Sequence, residues 1–131
     1  MKVKIYHNPR CSKSRQTLEI LNRKNLDIDI VEYLKSPLDI NEISNLLKKL
    51  GYTARDLLRK GEDVYKNENL SDKSLTEDFL IDMMSKNPIL IERPIVVSNG
   101  KAVIGRPPEK VLEILWQLII VIMMVLERQI K

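Results

Sequence analysis

VKIYHNPRCSKSRQTLEILNRKNLDIDIVEYL, residues 3–34, decides the fold of this chain. Apolar residues alternate with polar ones over 3–6 and again over 27–34, and this alternation predicts two β-strands. Residues 12–24 between them carry an apolar stripe at helical spacing, so the stretch predicts a strand–helix–strand unit with parallel strands. The loop after the first strand then lies at the carboxyl end of the sheet, where open α/β proteins usually bind ligands.

Cys11 is the only cysteine of the chain and lies in this loop, directly before the predicted helix. A helix N-terminus, free backbone N–H groups and nearby cationic side chains all favour thiolate over thiol. A lone cysteine can instead be a small buried apolar residue, but the turn at Asn8-Pro9 favours an exposed, reactive thiol. Because Ser14 stands where a Cys-x-x-Cys pair has its second thiol, any adduct on Cys11 must be resolved by another molecule.

The middle of the chain is predicted to be helical and more polar. Asp39 and Glu42 have the spacing of a capping box, and Gly51 is a typical helix end. A charged stretch over 61–73 is expected to be irregular. Because 39–86 is too long for a loop, it predicts a helical insertion that packs against the sheet. Helices are predicted over three segments: 39–50, 53–60 and 76–86.

A β-hairpin and a final helix complete the predicted fold. Residues 94–98 and 101–104 flank Asn99-Gly100, and this dipeptide between two such runs is the strongest short hairpin signal. Residues 106–109 then open a helix, since proline is tolerated at the first helical position. The order β-α-β, helices, β-β-α predicts an α/β protein with a thioredoxin-like arrangement, in which helices pack against one mixed four-stranded sheet.

Composition limits the classes of protein and of site. The 131 residues predict one domain, while one cysteine and one histidine exclude a disulfide framework and make a Cys/His metal site implausible. The net charge is only +4, the charged residues of both signs are interspersed along the chain, and aromatic residues make up only 5%. This composition favours a small anionic substrate, and no nucleic-acid partner is expected. Residues 1–6 lack the apolar region of a secretory signal, which predicts a cytoplasmic protein.

Four arginines are candidates for binding an anion beside Cys11. Arg15 follows the cysteine by one helical turn, so its guanidinium can fold back toward the sulfur. Arg93 and Arg106 border the same edge of the predicted sheet as Cys11. A planar guanidinium can donate two hydrogen bonds to a tetrahedral oxyanion. Each arginine taken alone is more often a surface charge, and Arg59, at the end of a predicted short helix, fits that interpretation equally well.

Three separated segments resemble the glutaredoxin-dependent arsenate reductase family (ArsC type), and its YfgD-like branch most closely. They are HNPRCSKSRQTLEIL (7–21), LLRKGEDVYKNENL (57–70) and ERPIVVSNGKAVIGRPPEKVLEIL (92–115). The segments occur in the order that the family has, and the resemblance covers residues 1 to about 116. It implies a thioredoxin-like domain over 1–116 with the helical insertion at 39–86.

The resemblance also implies a role for individual residues. Cys11 matches the family's nucleophile, and His7 matches the histidine that helps to lower the pKa of that thiol. Pro94 matches the position where thioredoxin-like folds carry a cis-proline beside the active thiol. The family's three oxyanion-binding arginines match Arg59, Arg93 and Arg106.

Arsenate is the substrate that the resemblance implies. The thiolate of Cys11 attacks arsenic, and the arginines and the backbone N–H groups that begin at Ser12 meet the developing negative charge. Arg15 is expected to assist the thiol. Glutathione acts as co-substrate on the adduct, glutaredoxin supplies the second thiol, and arsenite is released without any bound cofactor.

Other thiol proteins fit the residues less well. A low-molecular-weight phosphatase, or the thioredoxin-coupled reductase on that fold, needs Cys-x5-Arg, but Thr17 occupies the arginine position. An Spx-like transcriptional regulator commonly carries Cys-x-x-Cys, which Ser14 breaks. A general thiol-redox role, or an Spx-like protein-interaction module, stays open as the alternative, because fold and motif do not fix function.

The C-terminal run LIIVIMMVL, residues 118–126, does not fit the domain neatly. Three interpretations are open: a buried or subunit-contact helix, a membrane-surface tether, and a frameshifted or artificial terminus. The run is shorter than the roughly 20 apolar residues that a membrane span needs, so a membrane partner is not expected. Residues 117–131 are thus an apolar extension of unknown role, and self-association through 111–126 is a prediction.

Overall fold

The computed structural model describes residues 2–130, apart from the side chains of 116–119, 121, 122 and 130. The strands are β1 (Lys2–Tyr6), β2 (Asp27–Val31), β3 (Ile95–Ser98) and β4 (Lys101–Ile104). The helices are α1 (Ser12–Asn22), α2 (Ile40–Leu50), α3 (Ala54–Leu57), α4 (Asp63–Asn67), α5 (Glu77–Lys86) and α6 (Leu112–Ile130). Two 3-10 turns, Pro88–Leu90 and Pro108–Val111, precede β3 and α6.

The four strands form one mixed sheet in the order β2-β1-β3-β4. β1 and β2 are parallel, with Val3 opposite Ile28 and Tyr6 opposite Val31, as the helix between them requires. β3 runs antiparallel to both β1 and β4. The predicted thioredoxin-like arrangement with a mixed four-stranded sheet is confirmed. The carboxyl ends of β1 and β2 therefore lie side by side, and the loop that carries Cys11 leaves from this edge.

Both faces of the sheet are covered, because successive residues of each strand point to opposite sides. Val96 packs with Leu21 of α1 and Leu115 of α6 on one face. Ile95, its neighbour in β3, packs on the other face with the apolar residues of α2–α5. Residues 40–86 therefore form a helical layer on one face, and α1 and α6 form the layer on the other.

The helices of this insertion differ from the prediction in two places. α3 spans only Ala54–Leu57, because Leu58 leaves the helix and pairs with Ile91 in an isolated antiparallel bridge. The N–H of Arg59 donates to Leu90 O at 2.8 Å, and the N–H of Glu92 donates to Leu57 O at 2.9 Å. Arg59 is thus in extended backbone beside the start of β3, and the prediction that it ends a helix is wrong.

One additional helix and two element boundaries also differ from the prediction. The stretch over 61–73, predicted to be irregular, contains the short helix α4. α1 ends at Asn22 and β2 ends at Val31, both before the predicted ends at 24 and 34. The backbone N–H of Lys35 instead bonds to the carbonyl of Glu32, so residues 32–35 form a turn at the end of β2.

The apolar C-terminal run continues the helix α6. Five of its described apolar side chains are exposed: Ile120, Met123, Met124, Val125 and Leu126. Burial of the run against its own domain is therefore wrong for these five, and self-association through 111–126 stays a prediction. Within residues 2–130, no helix combines the length and apolar character needed to cross a bilayer.

Candidate active site

Cys11 is held by a tight loop between β1 and α1. The N–H of His7 donates to Val31 O at 2.8 Å, which ties the loop to the end of β2. The N–H of Cys11 donates to Asn8 O at 3.0 Å, so the chain turns back before the helix. Cys11 is the N-cap residue of α1, so its sulfur lies beside the backbone N–H groups of the helix N-terminus, which have no partner within the helix.

The pKa of the Cys11 thiol lies below its usual value because stabilising contacts outweigh burial. Partial burial acts to raise this pKa. The backbone N–H of Ser14, the hydrogen bond and positive charge of Arg93, and the backbone N–H of Lys13 act to lower it. Arg106 adds a further contact, since its Nη2 donates to Cys11 Sγ at 3.5 Å. The site therefore favours the nucleophilic thiolate.

This lowered pKa predicts a measurable shift in thiol reactivity. Because only the thiolate reacts, we expect the rate of alkylation by iodoacetamide to reach half its maximum below the free-cysteine pKa of about 8.5. Arg93→Ala should move that midpoint to higher pH, since it removes a hydrogen bond and a positive charge from the sulfur. A midpoint at or above the free-cysteine value in the unaltered protein would contradict the prediction.

His7 contacts Ser14 rather than the sulfur. Its Nδ1 lies 2.6 Å from Ser14 Oγ, and both residues are buried. Burial lowers the pKa of His7, the charge of Arg15 lowers it further, and the charge of Glu32 acts against both. A lowered pKa keeps the imidazole neutral at pH 7. His7 is thus placed to fix Ser14 at the start of α1, and its implied effect on the thiol pKa stays a prediction.

Arg15 and Ser12 flank the thiol within the same loop and helix. Arg15 Nη1 donates to the Pro9 carbonyl at 3.0 Å, so this guanidinium folds onto the loop before Cys11. Ser12 is the first residue of α1, where backbone N–H groups have no partner within the helix. The structure thus gives Arg15 a contact that holds the loop, while the catalytic role of Arg15 and the substrate-binding role of Ser12 stay predictions.

The other three arginines, here called the arginine cluster (Arg59, Arg93 and Arg106), converge on the carboxylate of Glu92. Arg59 Nη1 donates to Glu92 Oε1 at 2.6 Å, and Arg106 Nε lies 3.0 Å from the same oxygen. The backbone N–H of Arg93 also donates to it, at 3.1 Å. Arg106 Nε further donates to Arg93 O at 2.7 Å. The structure therefore brings together the three arginines that the sequence singled out.

Arg93 has unused donors next to the sulfur. Its side chain is only 12% exposed, and it hydrogen-bonds to Cys11. Its Nε and Nη1 are buried and have no hydrogen-bond partner within the described part of the chain. The nearest acidic oxygen, Glu62 Oε1, is 3.7 Å from Nη1, which is an ion pair but too long for a hydrogen bond. A buried guanidinium with free donors beside a thiolate suits the binding of an oxyanion.

Pro94 lies beside the site, as the resemblance implies. The Arg93–Pro94 peptide bond is cis, and so is the Arg106–Pro107 bond at the other end of the hairpin. The N–H of Gly105 donates to Pro94 O at 3.0 Å, which joins these two ends. A Cβ at Gly105 would lie 2.5 Å from Thr17 Oγ1 and 2.9 Å from Pro94 Cγ, so only glycine fits between α1 and Pro94.

We expect Gly105→Ala to destabilise the fold and disturb the arginine cluster. Thr17 Oγ1 is held by its bond to Lys13 O at 2.8 Å, so the added methyl group must either break this bond by displacing the Thr17 side chain or displace Pro94. Overpacking of this kind costs about 1–3 kcal/mol in the free energy of unfolding. Gly61→Ala is the matched control: it meets no atom within 4 Å and should stay within about 0.5 kcal/mol. Urea unfolding of both variants measures the difference, and equal stabilities would contradict it.

Tyr33 is a site residue that the sequence did not indicate. It is fully buried, and its hydroxyl has no hydrogen-bond partner among the described residues. The pKa of this phenol is raised to about 12, mainly by burial. The charges of Arg93 and Arg59 act to lower it, and those of Cys11 and Glu92 act to raise it. The phenol is therefore a protonated donor close to the thiol. Its place in the apolar alternation of 27–34 makes it look like a core residue.

The acidic residues of the site were also missed. Glu92 contacts all three arginines, and Glu62 Oε1 accepts from Arg59 Nε at 3.0 Å. Glu92 and Arg106 line a cavity of about 430 Å³, so this side of the arginine cluster is open to small molecules.

In the part of the chain that the structure describes, no group of three or more His, Cys, Asp or Glu residues could hold a metal ion.

A thiol with a lowered pKa at a helix N-terminus, with guanidinium groups in contact with the sulfur and a cis-proline beside it, defines a reactive-thiol site on a thioredoxin-like fold. The sequence model described as the ArsC family matches residues 6–114. The uncharacterised protein YfgD of Escherichia coli K12 is 58% identical over 113 residues, which cover 86% of this chain and 95% of YfgD.

Relatives named as arsenate reductases are nearly as similar. That of Haemophilus influenzae is 47% identical over 116 residues, which cover 88% of this chain and all of the relative. The structure of arsenate reductase from Vibrio cholerae matches with a TM-score of 0.84 and 46% identity, over 86% of this chain and 97% of that one. This chain belongs to the ArsC family.

Proposed function

We propose that this chain reduces arsenate to arsenite, with Cys11 as nucleophile, glutathione as co-substrate and glutaredoxin as donor of the second thiol. The proposal rests on the contacts of Arg93. Its buried Nε and Nη1 have no hydrogen-bond partner among the described residues, while the same guanidinium hydrogen-bonds to Cys11. Free donors at a nucleophilic sulfur are what an attacked tetrahedral oxyanion needs. The names of the Haemophilus influenzae and Vibrio cholerae relatives support arsenate as that oxyanion.

In the first step the Cys11 thiolate attacks arsenic. A sulfur–arsenic bond forms, and an arsenate hydroxyl group takes up one proton from solvent and leaves as water. Arg93 and Arg106, which both reach the sulfur, are placed to neutralise the oxygens of the adduct, and Arg59 completes the arginine cluster. The N–H groups of Lys13 and Ser14 hold the thiolate in place before attack.

In the later steps external thiols supply the electrons. Glutathione attacks the adduct, and a glutaredoxin thiol completes the reduction, so that arsenic gains two electrons while two thiols become one disulfide. Water then attacks the arsenic and breaks its bond to Cys11 Sγ, so that arsenite leaves and Cys11 returns to the thiolate. The chain holds a single cysteine, so it has no second thiol of its own to contribute. A reaction that depends on glutathione belongs in the reducing cytoplasm, where we place this protein.

An assay of arsenite production tests the proposal. The purified chain is given arsenate with glutathione and glutaredoxin, and each component is omitted in turn. We expect arsenite to form only when all are present. A mixed disulfide of glutathione and cysteine, offered in place of arsenate, tests a general thiol-redox role in parallel. Reduction of this disulfide without any arsenite formation would contradict the proposal and favour the general role.

A further inference from the structure

The carboxylate of Glu92 contacts the guanidinium groups of Arg59 and Arg106 and the backbone N–H of Arg93. Two donors hydrogen-bond to Oε1, Arg59 Nη1 at 2.6 Å and the Arg93 backbone N–H at 3.1 Å. Arg106 Nε, whose one hydrogen is donated to Arg93 O, lies 3.0 Å from the same oxygen as an ion pair. Because all three contacts use one oxygen, Oε2 takes no part in them. A tetrahedral oxyanion held by these arginines would therefore have a carboxylate oxygen as its neighbour.

The Glu92 carboxylate also lies beside the reacting sulfur. The guanidinium of Arg106 contacts Glu92 through Nε and donates to Cys11 Sγ through Nη2 at 3.5 Å. One planar group therefore joins the carboxylate to the thiol. Glu92 and Arg106 both line the cavity of about 430 Å³, so the carboxylate is not sealed inside the fold.

The charges around Glu92 are balanced. The three arginines of the cluster face two carboxylates, Glu62 and Glu92, and the Cys11 thiolate. The phenol of Tyr33, whose pKa burial raises to about 12, is neutral. Asp56, Lys110 and Glu113 line the same cavity as Glu92 and Arg106, and their formal charges sum to one further negative charge. The site thus has no surplus of positive charge for a fully ionised dianion. An oxyanion that carries its own proton reduces this repulsion and offers a donor to the carboxylate.

We propose that Glu92 makes the site select protonated tetrahedral oxyanions, by accepting a hydrogen bond from an O–H group of the bound anion. This inference rests on the proposed function only in that an oxyanion occupies the arginine cluster. An anion without a proton, such as sulfate near neutral pH, places a bare oxygen against the carboxylate and is rejected. Arsenate and phosphate near neutral pH carry at least one proton and are accepted. Selectivity of this kind comes from a repulsive group placed among attractive ones.

Calorimetric titration of the full chain with inorganic phosphate and with sulfate, at one neutral pH, tests the inference. Neither anion is reduced by thiols, so binding is measured without turnover. We expect the unaltered protein to bind phosphate at least about tenfold more tightly than sulfate, the size of effect that one hydrogen bond to a charged group produces. This comparison needs no variant and is therefore independent of any effect on folding.

Glu92→Gln keeps the shape of the side chain but removes its charge and replaces one oxygen by an N–H donor. We expect this variant to bind sulfate at least about tenfold more tightly than the unaltered protein, so that the preference for phosphate is lost. Glu62→Gln is the matched control, because Glu62 contacts Arg59 and Arg93 but its described ion pairs do not include Arg106. It removes the same charge and should change the affinity for both anions alike.

Two results would overturn the inference. Equal affinity for phosphate and sulfate in the unaltered protein would show that Glu92 does not discriminate. An equal loss of affinity for both anions in Glu92→Gln would show that the carboxylate only holds the arginines in position. Arsenite formation alongside either result would leave the proposed function standing. Failure of both anions to bind to either protein, with no arsenite formed, would instead overturn the proposed function as well.

Discussion

Cys11→Ser should reduce arsenite formation to the rate seen without protein. A serine hydroxyl remains protonated near neutral pH, so the groups that lower the pKa of the thiol cannot make it a comparable nucleophile. The chain has no other cysteine that could take over. Production of arsenite by the variant, measured with glutathione and glutaredoxin in excess, is the readout, and turnover above the protein-free rate would contradict the assignment of the nucleophile.

The same variant should remain folded, which makes its loss of activity interpretable. Cys11 is the N-cap residue of α1 and makes no side-chain capping bond, whereas serine is among the preferred N-cap residues. We therefore expect a thermal midpoint equal to or slightly above that of the unaltered chain. Phosphate binding should also persist, since the arginine cluster is unchanged. A large fall in the midpoint would mean that the thiol has a structural role.

Arg93→Ala should lower the rate of arsenate reduction by about 100- to 1,000-fold, the typical loss for one donor to a developing oxyanion. Arg93 has the largest expected effect of the cluster because its buried Nε and Nη1 have no partner within the described residues and its charge acts directly on Cys11. Arg59 already forms ion pairs with Glu62 and Glu92, so we expect Arg59→Ala to lower the rate of arsenate reduction by less. Arg93→Lys should restore only part of the rate, because a lysine lacks the planar fork.

Arg23→Ala is the matched control for this series. Arg23 directly follows the end of α1, and its exposed side chain forms an ion pair with Glu19, whereas the Arg93 side chain is mostly buried. Its removal should leave the rate unchanged, since an exposed i,i+4 pair contributes little. Steady-state rates of arsenite formation for Arg23→Ala and Arg93→Ala, at equal folded concentration, separate a local effect from a general loss of positive charge. Equal rates would contradict the proposal that Arg93 binds the oxyanion.

The elements that the sequence predicts well are those with a local physical cause. Asp39 accepts a hydrogen bond from the N–H of Glu42 at 2.8 Å, and Gly51 ends the helix with a φ of +70°. Asn99 and Gly100 both have positive φ, at +53° and +77°, as a two-residue hairpin turn requires. Each of these signals lies within four residues of the structure that it specifies.

The features that could not be predicted depend on contacts between distant segments. Leu58 leaves its helix only because Ile91 offers a partner, and nothing near Leu58 in the sequence indicates this. Glu92 resembles an ordinary surface charge until Arg59 and Arg106 are placed against it. Tyr33 has the alternation of a core strand, and the sequence does not indicate that its buried hydroxyl has no hydrogen-bond partner among the described residues. The cysteine could be found from sequence, but the charge balance around it could not.

The Leu58–Ile91 bridge would couple the helical insertion to the binding of any anion that contacts the arginine cluster. Arg59 directly follows Leu58, and Arg93 lies two residues after Ile91. An anion that contacts both guanidinium groups therefore spans the junction between the insertion and the sheet. Such an anion acts as a reversible cross-link. A part of its binding free energy then appears as resistance of residues 40–86 to local opening, and the occupancy of the site sets how often this layer separates from the sheet.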